Sequence, residues 1–231
     1  MADGLAARVF LAFDDVSRAG KHVLHFAKFA GAQAVQMPQN IVEKLIPADL
    51  TAYVQIFQYP DCQAAAITVN TSDLPATQRW ELADALVSAL SDADVQELTI
   101  LGALHLPYAK DDDLNVFYGG LNGTADEDVA KLPAFGPDWE LKDPWLATFL
   151  HFIKAEQWPR THLLLAKGYK PGRNLSGTYE AVDKLSRALE LFTKEKVTVD
   201  AQEVQRELPQ LLAKEKPAST VRDDHLTLLY H

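Results

Sequence analysis

The chain has 231 residues, 48% of them hydrophobic, enough apolar material for one large core or two small ones, and we expect one. A net charge of −10 opposes nucleic acid and anionic membrane as primary partners, since both would repel such a surface. Cys62 is the single cysteine, which excludes an intramolecular disulfide and suits a reducing compartment. No apolar run approaches the ~20 residues needed to cross a bilayer, and residues 1–7 lack a basic start leading into an apolar stretch. The expectation is a soluble cytoplasmic protein, with the nucleus as a second location.

Residues 8–13 are short, apolar and closed by Asp14-Asp15, which predicts a strand. Residues 21–30 follow with Val23, Phe26, Ala27 and Ala30 at helical spacing. The β-rich run 53–57 and the run 64–69, separated by Pro60-Asp61, predict a hairpin. Pro75 opens a predicted helix whose Trp80, Ala83, Leu86, Val87 and Leu90 form the packing face, leaving Arg79, Glu81 and Asp84 to solvent. Residues 97–106 are apolar on both faces, as a central strand requires. The run Lys110 to Asp113, then Gly119, Gly120 and Gly123, then Pro133, Pro137 and Pro144, predicts irregular surface.

Residues 145–156 predict a helix with Leu146, Phe149, Leu150 and Ile153 on one stripe, and 163–166 a buried strand. Residues 179–195 and 201–214 predict two closing helices, the first buried through Val182, Leu185, Leu189 and Phe192, the second through Val204, Leu208, Leu211 and Leu212. After Lys216 the chain turns polar, so a flexible tail is expected over 217–231. Strands alternating with helices predict a single α/β domain over 1–216, with a mixed or mostly parallel sheet flanked by helices and a nucleoside-phosphorylase-like layout.

Catalytic and metal readings find thin support. His22 and His25 share a helix face at i, i+3, but no Cys or acidic ligand accompanies them at zinc spacing. His105 ends the central strand, where α/β enzymes place catalytic groups, and Asp111 to Asp113 follow; three adjacent like charges are more simply a solvated loop. Gly119, Gly120 and Gly123 lack the lysine and hydroxyl residue of a phosphate loop and read as a turn. Residues 170–177, with Arg173 and Ser176, run from a strand into a helix, as an anion site at a helix N-terminus would. Their simpler reading is a helix entry capped by Ser176 or Thr178. Cys62 has no basic neighbour in sequence to activate its thiol. We expect no catalytic residue, metal or cofactor; the alternative is a small α/β enzyme of nucleoside phosphorylase-like type, with its polar pocket around His105 and Arg173.

The predicted tail ends in Leu226, Thr227, Leu228, Leu229, Tyr230 and His231, an apolar and aromatic close to a polar segment. Capture of a terminal carboxylate is a recurrent mode of peptide recognition, and Tyr230 pairs a rigid ring with a hydroxyl that keeps a hydrogen-bond partner. A final strand docked on a sheet edge is the plainer reading. Leu229-Tyr230-His231 resembles the hydrophobic-tyrosine-X tail by which proteasome activators and some assembly chaperones insert between α subunits. With the α/β alternation, the size and the strand Leu98-Thr99-Ile100-Leu101-Gly102-Ala103-Leu104-His105, the chain resembles the proteasome assembly chaperone 1 family. The resemblance implies a non-enzymatic chaperone of 20S assembly that works as a heterodimer with a chaperone 2-like subunit, binds proteasome α subunits and blocks premature regulator docking. It implies that the His231 carboxylate meets a lysine of the α-ring pocket, Tyr230 packs on the pocket wall and Leu229 fills its apolar side.

Overall fold

Period-two burial along the first strand sets the architecture. In β1 (Arg8–Phe13), Val9, Leu11 and Phe13 enter one core while Phe10 and Ala12 enter another, so the sheet is covered on both faces. The chain is described by a computed structural model over residues 4–106, 116–123, 132–135, 141–168, 176–194 and 196–214. β1 runs parallel to β5 (Ala64–Val69) and to β6 (Glu97–Leu104), and β6 runs parallel to β8 (Arg160–Lys167). The flanks are antiparallel: β3 (Val35–Gln36) and β4 (Val54–Tyr59) lie beyond β5, and β7 (Val116–Leu121) lies beyond β8. The seven strands run in the order β3-β4-β5-β1-β6-β8-β7, a single mixed and mostly parallel sheet.

Helices α2 (Gln39–Leu45), α3 (Gln78–Asp92) and α4 (Pro144–Glu156) bury one face over Leu11, Phe13, Ile56 and Ile67. Phe13 meets Trp145 with ring centroids 5.6 Å apart, and Trp145 stacks on Phe149 at 5.1 Å. Helices α1 (Ala19–Phe26) and α5 (Ser176–Phe192) cover the other face, and α6 (Ala201–Lys214) packs against α1 in the same core. α1 comes unusually near the sheet, because a Cβ on Gly20 would lie 2.3 Å from the Leu101 carbonyl oxygen.

Several predicted elements change. The helix expected over 21–30 stops at Phe26, and the next residues form β2 (Ala27–Phe29), antiparallel to β9 (Val197–Val199). Ala27 and Phe29 are buried and Lys28 exposed, a strand alternation that the helical spacing of Phe26, Ala27 and Ala30 disguised. The stretch expected to be irregular contains β7, whose Gly119 and Gly120 are strand residues rather than a turn. Phe135 explains Gly119, since its ring lies 2.8 Å from where a Cβ would stand. The turn comes next, at Asn122, with φ 58° and an amide donating to the carbonyls of Ile153 and Pro159. The helix expected from Pro75 begins at Gln78, and Trp80 leaves its predicted packing face: it is 59% exposed, its ring edge against Phe152.

Candidate functional site

The four parallel strands end together at Phe13, Val69, Leu104 and Lys167, the edge at which α/β sheets gather functional groups. Asp14 and Asp15 follow Phe13. The Asp15 carboxylate is buried and accepts N–H groups from Ser17 at 2.8 Å, Ala19 at 3.1 Å and Gly20 at 3.0 Å. These donors sit at the entry of α1, reached through Arg18 in the left-handed region with φ 55°. Burial dominates the acidity of Asp15 and pushes its pKa up to about 6, against the lowering effect of those N–H bonds.

Asp14 faces the other way. Its Oδ1 lies 2.8 Å from Lys21 Nζ and 3.7 Å from Arg18 Nε, while its Oδ2 accepts from the Ser72 N–H at 3.0 Å. Lys21 also donates to Asn70 Oδ1. The two aspartates therefore clasp the loop after β1 to the start of α1 and to the loop after β5. Chemically this edge binds itself: the helix N-terminus that would cradle a phosphate already holds the Asp15 carboxylate.

His105 follows β6 and is exposed, while Asp111 to Asp113 lie outside the described residues. Arg173 lies outside them too; Ser176 is the first residue of α5 and Thr178 is buried in its first turn. His22 is buried and His25 exposed, so the pair does not share a face open to one ion. Among the described residues no group of three or more His, Cys, Asp or Glu could hold a metal ion. Cys62 is half-buried between β4 and β5, its Sγ 3.4 Å from the Tyr59 carbonyl oxygen.

One polar cluster escaped the sequence reading. His162, on β8 beside the edge strand β7, is 1% exposed; its Nδ1 lies 2.9 Å from Tyr118 Oη and its Nε2 lies 3.0 Å from Glu97 Oε1. Contact with His162 holds the Glu97 carboxyl below its ordinary pKa. The row ties β7, β8 and β6 together across the sheet. Its only signal was a histidine among apolar strand residues, Thr161-His162-Leu163-Leu164. Tyr118 was hidden in a stretch expected to be irregular.

No protein-family profile matches the chain, and no curated protein matches it in sequence. Solved structures do match, nearly end to end. A Thermoplasma acidophilum protein of unknown function aligns at 8% identity with a TM-score of 0.56, over 98% of this chain and 90% of that one. Pyrococcus furiosus PbaA, an archaeal homolog of proteasome-assembly chaperone, aligns at 11% identity with a TM-score of 0.56, over 90% of each chain. Pyrococcus furiosus PbaB, an archaeal proteasome activator, aligns at 14% identity with a TM-score of 0.52, over 91% of this chain and 93% of that one. The fold is shared with PbaA and PbaB.

The expected docking residues Leu229, Tyr230 and His231, with the whole predicted tail, lie outside the described residues. Their nearest described anchor is α6, which packs against α1, buries Val204 and Leu208 in the core on that side and runs to Lys214. No helix among the described residues is long and apolar enough to cross a membrane.

Proposed function

We propose that this chain is a non-enzymatic chaperone of 20S proteasome assembly. With a chaperone 2-like partner it binds the α-ring in the cytoplasm or nucleus, inserts Leu229-Tyr230-His231 between α subunits and keeps regulators from docking early. The observation that carries the reading is the full-length likeness of fold to PbaA, a homolog of proteasome-assembly chaperone by name. The sequence Leu229-Tyr230-His231, which resembles the hydrophobic-tyrosine-X tail of proteasome-binding proteins, supports it independently of the fold. A nucleoside phosphorylase-like enzyme would need an open anion site on this edge of the sheet, and the α1 entry there is filled by Asp15. The competing reading is a proteasome activator, the description PbaB carries, which would share the tail but open the gate of finished particles.

Single substitutions in the tail test the reading. Tyr230→Ala removes ring and hydroxyl together and is expected to weaken binding to isolated α-rings by about 30-fold or more, the loss of an interface anchor worth ~2 kcal/mol. Leu229→Ala is expected to cost about tenfold. Addition of the intact chain and its partner to mature 20S particles should not raise peptide hydrolysis; a rise would favour the activator.

A further inference from the structure

We propose that the groove between α2 and α3 receives an apolar side chain of a different protein, presented between lysine or arginine residues. The groove holds about 420 Å³ and is floored by Leu45, Leu50 and Ala85, with the indole of Trp80 as one wall. Trp80 is 59% exposed in a chain whose other described large apolar side chains are almost all covered. Tryptophan is the residue most enriched among side chains that carry binding energy at interfaces, and an exposed indole beside an apolar floor is poorly used by the isolated chain.

Two contacts fix the groove in advance. The Trp80 ring stands edge-on to Phe152 with centroids 4.9 Å apart, and Gln78 Nε2 donates to Asp49 Oδ2 at 3.2 Å, tying the start of α3 to the loop after α2. A wall already held in place loses little side-chain entropy when a guest arrives.

The rim decides the guest. Asp49, Glu81 and Asp84 line the groove, and no lysine, arginine or histidine does. A second copy meeting this face about a two-fold axis would set these carboxylates against one another, and each copy carries a net charge of −10. A basic partner segment with an aliphatic or aromatic anchor meets both features at once. α3 lies on the face of the sheet opposite α6, so occupancy here leaves the root of the predicted tail uncovered. The inference stands apart from the tail reading, and either can fail alone.

The test uses the full chain and two labelled helical peptides with identical leucine and phenylalanine anchors, one flanked by lysines and the other by glutamates, read by fluorescence anisotropy. Wild type is expected to prefer the lysine peptide by about tenfold at low salt, and the preference should shrink as salt is added. The double variant Glu81→Lys/Asp84→Lys, both on exposed positions, should reverse the preference, and Trp80→Ala should weaken the lysine peptide by about tenfold. Binding of neither peptide, equal binding of both, or a preference untouched by the charge reversal would overturn the proposal. Trp80-dependent self-association in sedimentation would overturn it too, by making a second copy the occupant.

Discussion

Asp15 and Glu97 act on stability with opposite signs. Asp15 titrates near 6 in the folded chain against an ordinary 3.8, so its contribution is full below 3.8 and is lost as pH rises through about 6. Glu97 is held below its ordinary 4.5, so its contribution is present above that value and is lost as pH falls through the depressed one. Asp15→Asn is expected to remove the fall in thermal midpoint between pH 4 and 6, while costing about 1–2 kcal/mol because the Gly20 N–H loses its acceptor. A slope that survives the substitution would assign the titration elsewhere. Tyr118→Phe strips His162 Nδ1 of its partner inside the sheet and should destabilise by about 1–3 kcal/mol in urea unfolding. None of this pairing was legible beforehand: Asp14-Asp15 read as a turn signal, and nothing in one dimension brings Tyr118 and Glu97 to opposite nitrogens of one imidazole.

Between elements, the decisive contact is α1 on β6. Alanine at Gly20 would drive a Cβ into the Leu101 carbonyl, which is backbone and cannot step aside as a side chain would. Gly20→Ala should therefore cost about 1–3 kcal/mol, a helix pushed off its sheet, whereas Gly4→Ala, whose nearest neighbour is 3.9 Å away, should leave urea unfolding unchanged. Elements with a clean period were legible: β1 and the twice-buried β6 as strands, α6 over its full length as a helix. β2 was not, because three residues of alternation are too few to interrupt a helical spacing that runs into them. β7 was not, because Gly119-Gly120 has the composition of a turn, and the reason for glycine there, the Phe135 ring over Gly119 and the Tyr118 hydroxyl beside Gly120, is a matter of packing. Trp80 lay at the right helical angle to be buried, but periodicity reports the direction of a side chain and not whether a neighbour reaches far enough to cover it.

For the whole molecule, the alternation of strands and helices carried the α/β class through to the observed seven-stranded sheet. Strand order was beyond it, since β5 and β6 flank β1 through contacts between residues far apart in the chain. The described residues of both cores lie within 5–212, and the docking tail, as proposed, is separable from that body. If the tail docks on the proteasome and not on its own body, ending the chain at Leu228 should leave its thermal midpoint within about 1 °C of the intact chain. The most direct test of chaperone function is then capture of α-ring precursors by the intact chain with its partner, against the same chain ending at Leu228. Capture lost on truncation, with the folded body intact, is the predicted result; equal capture by both forms would contradict docking through Leu229, Tyr230 and His231.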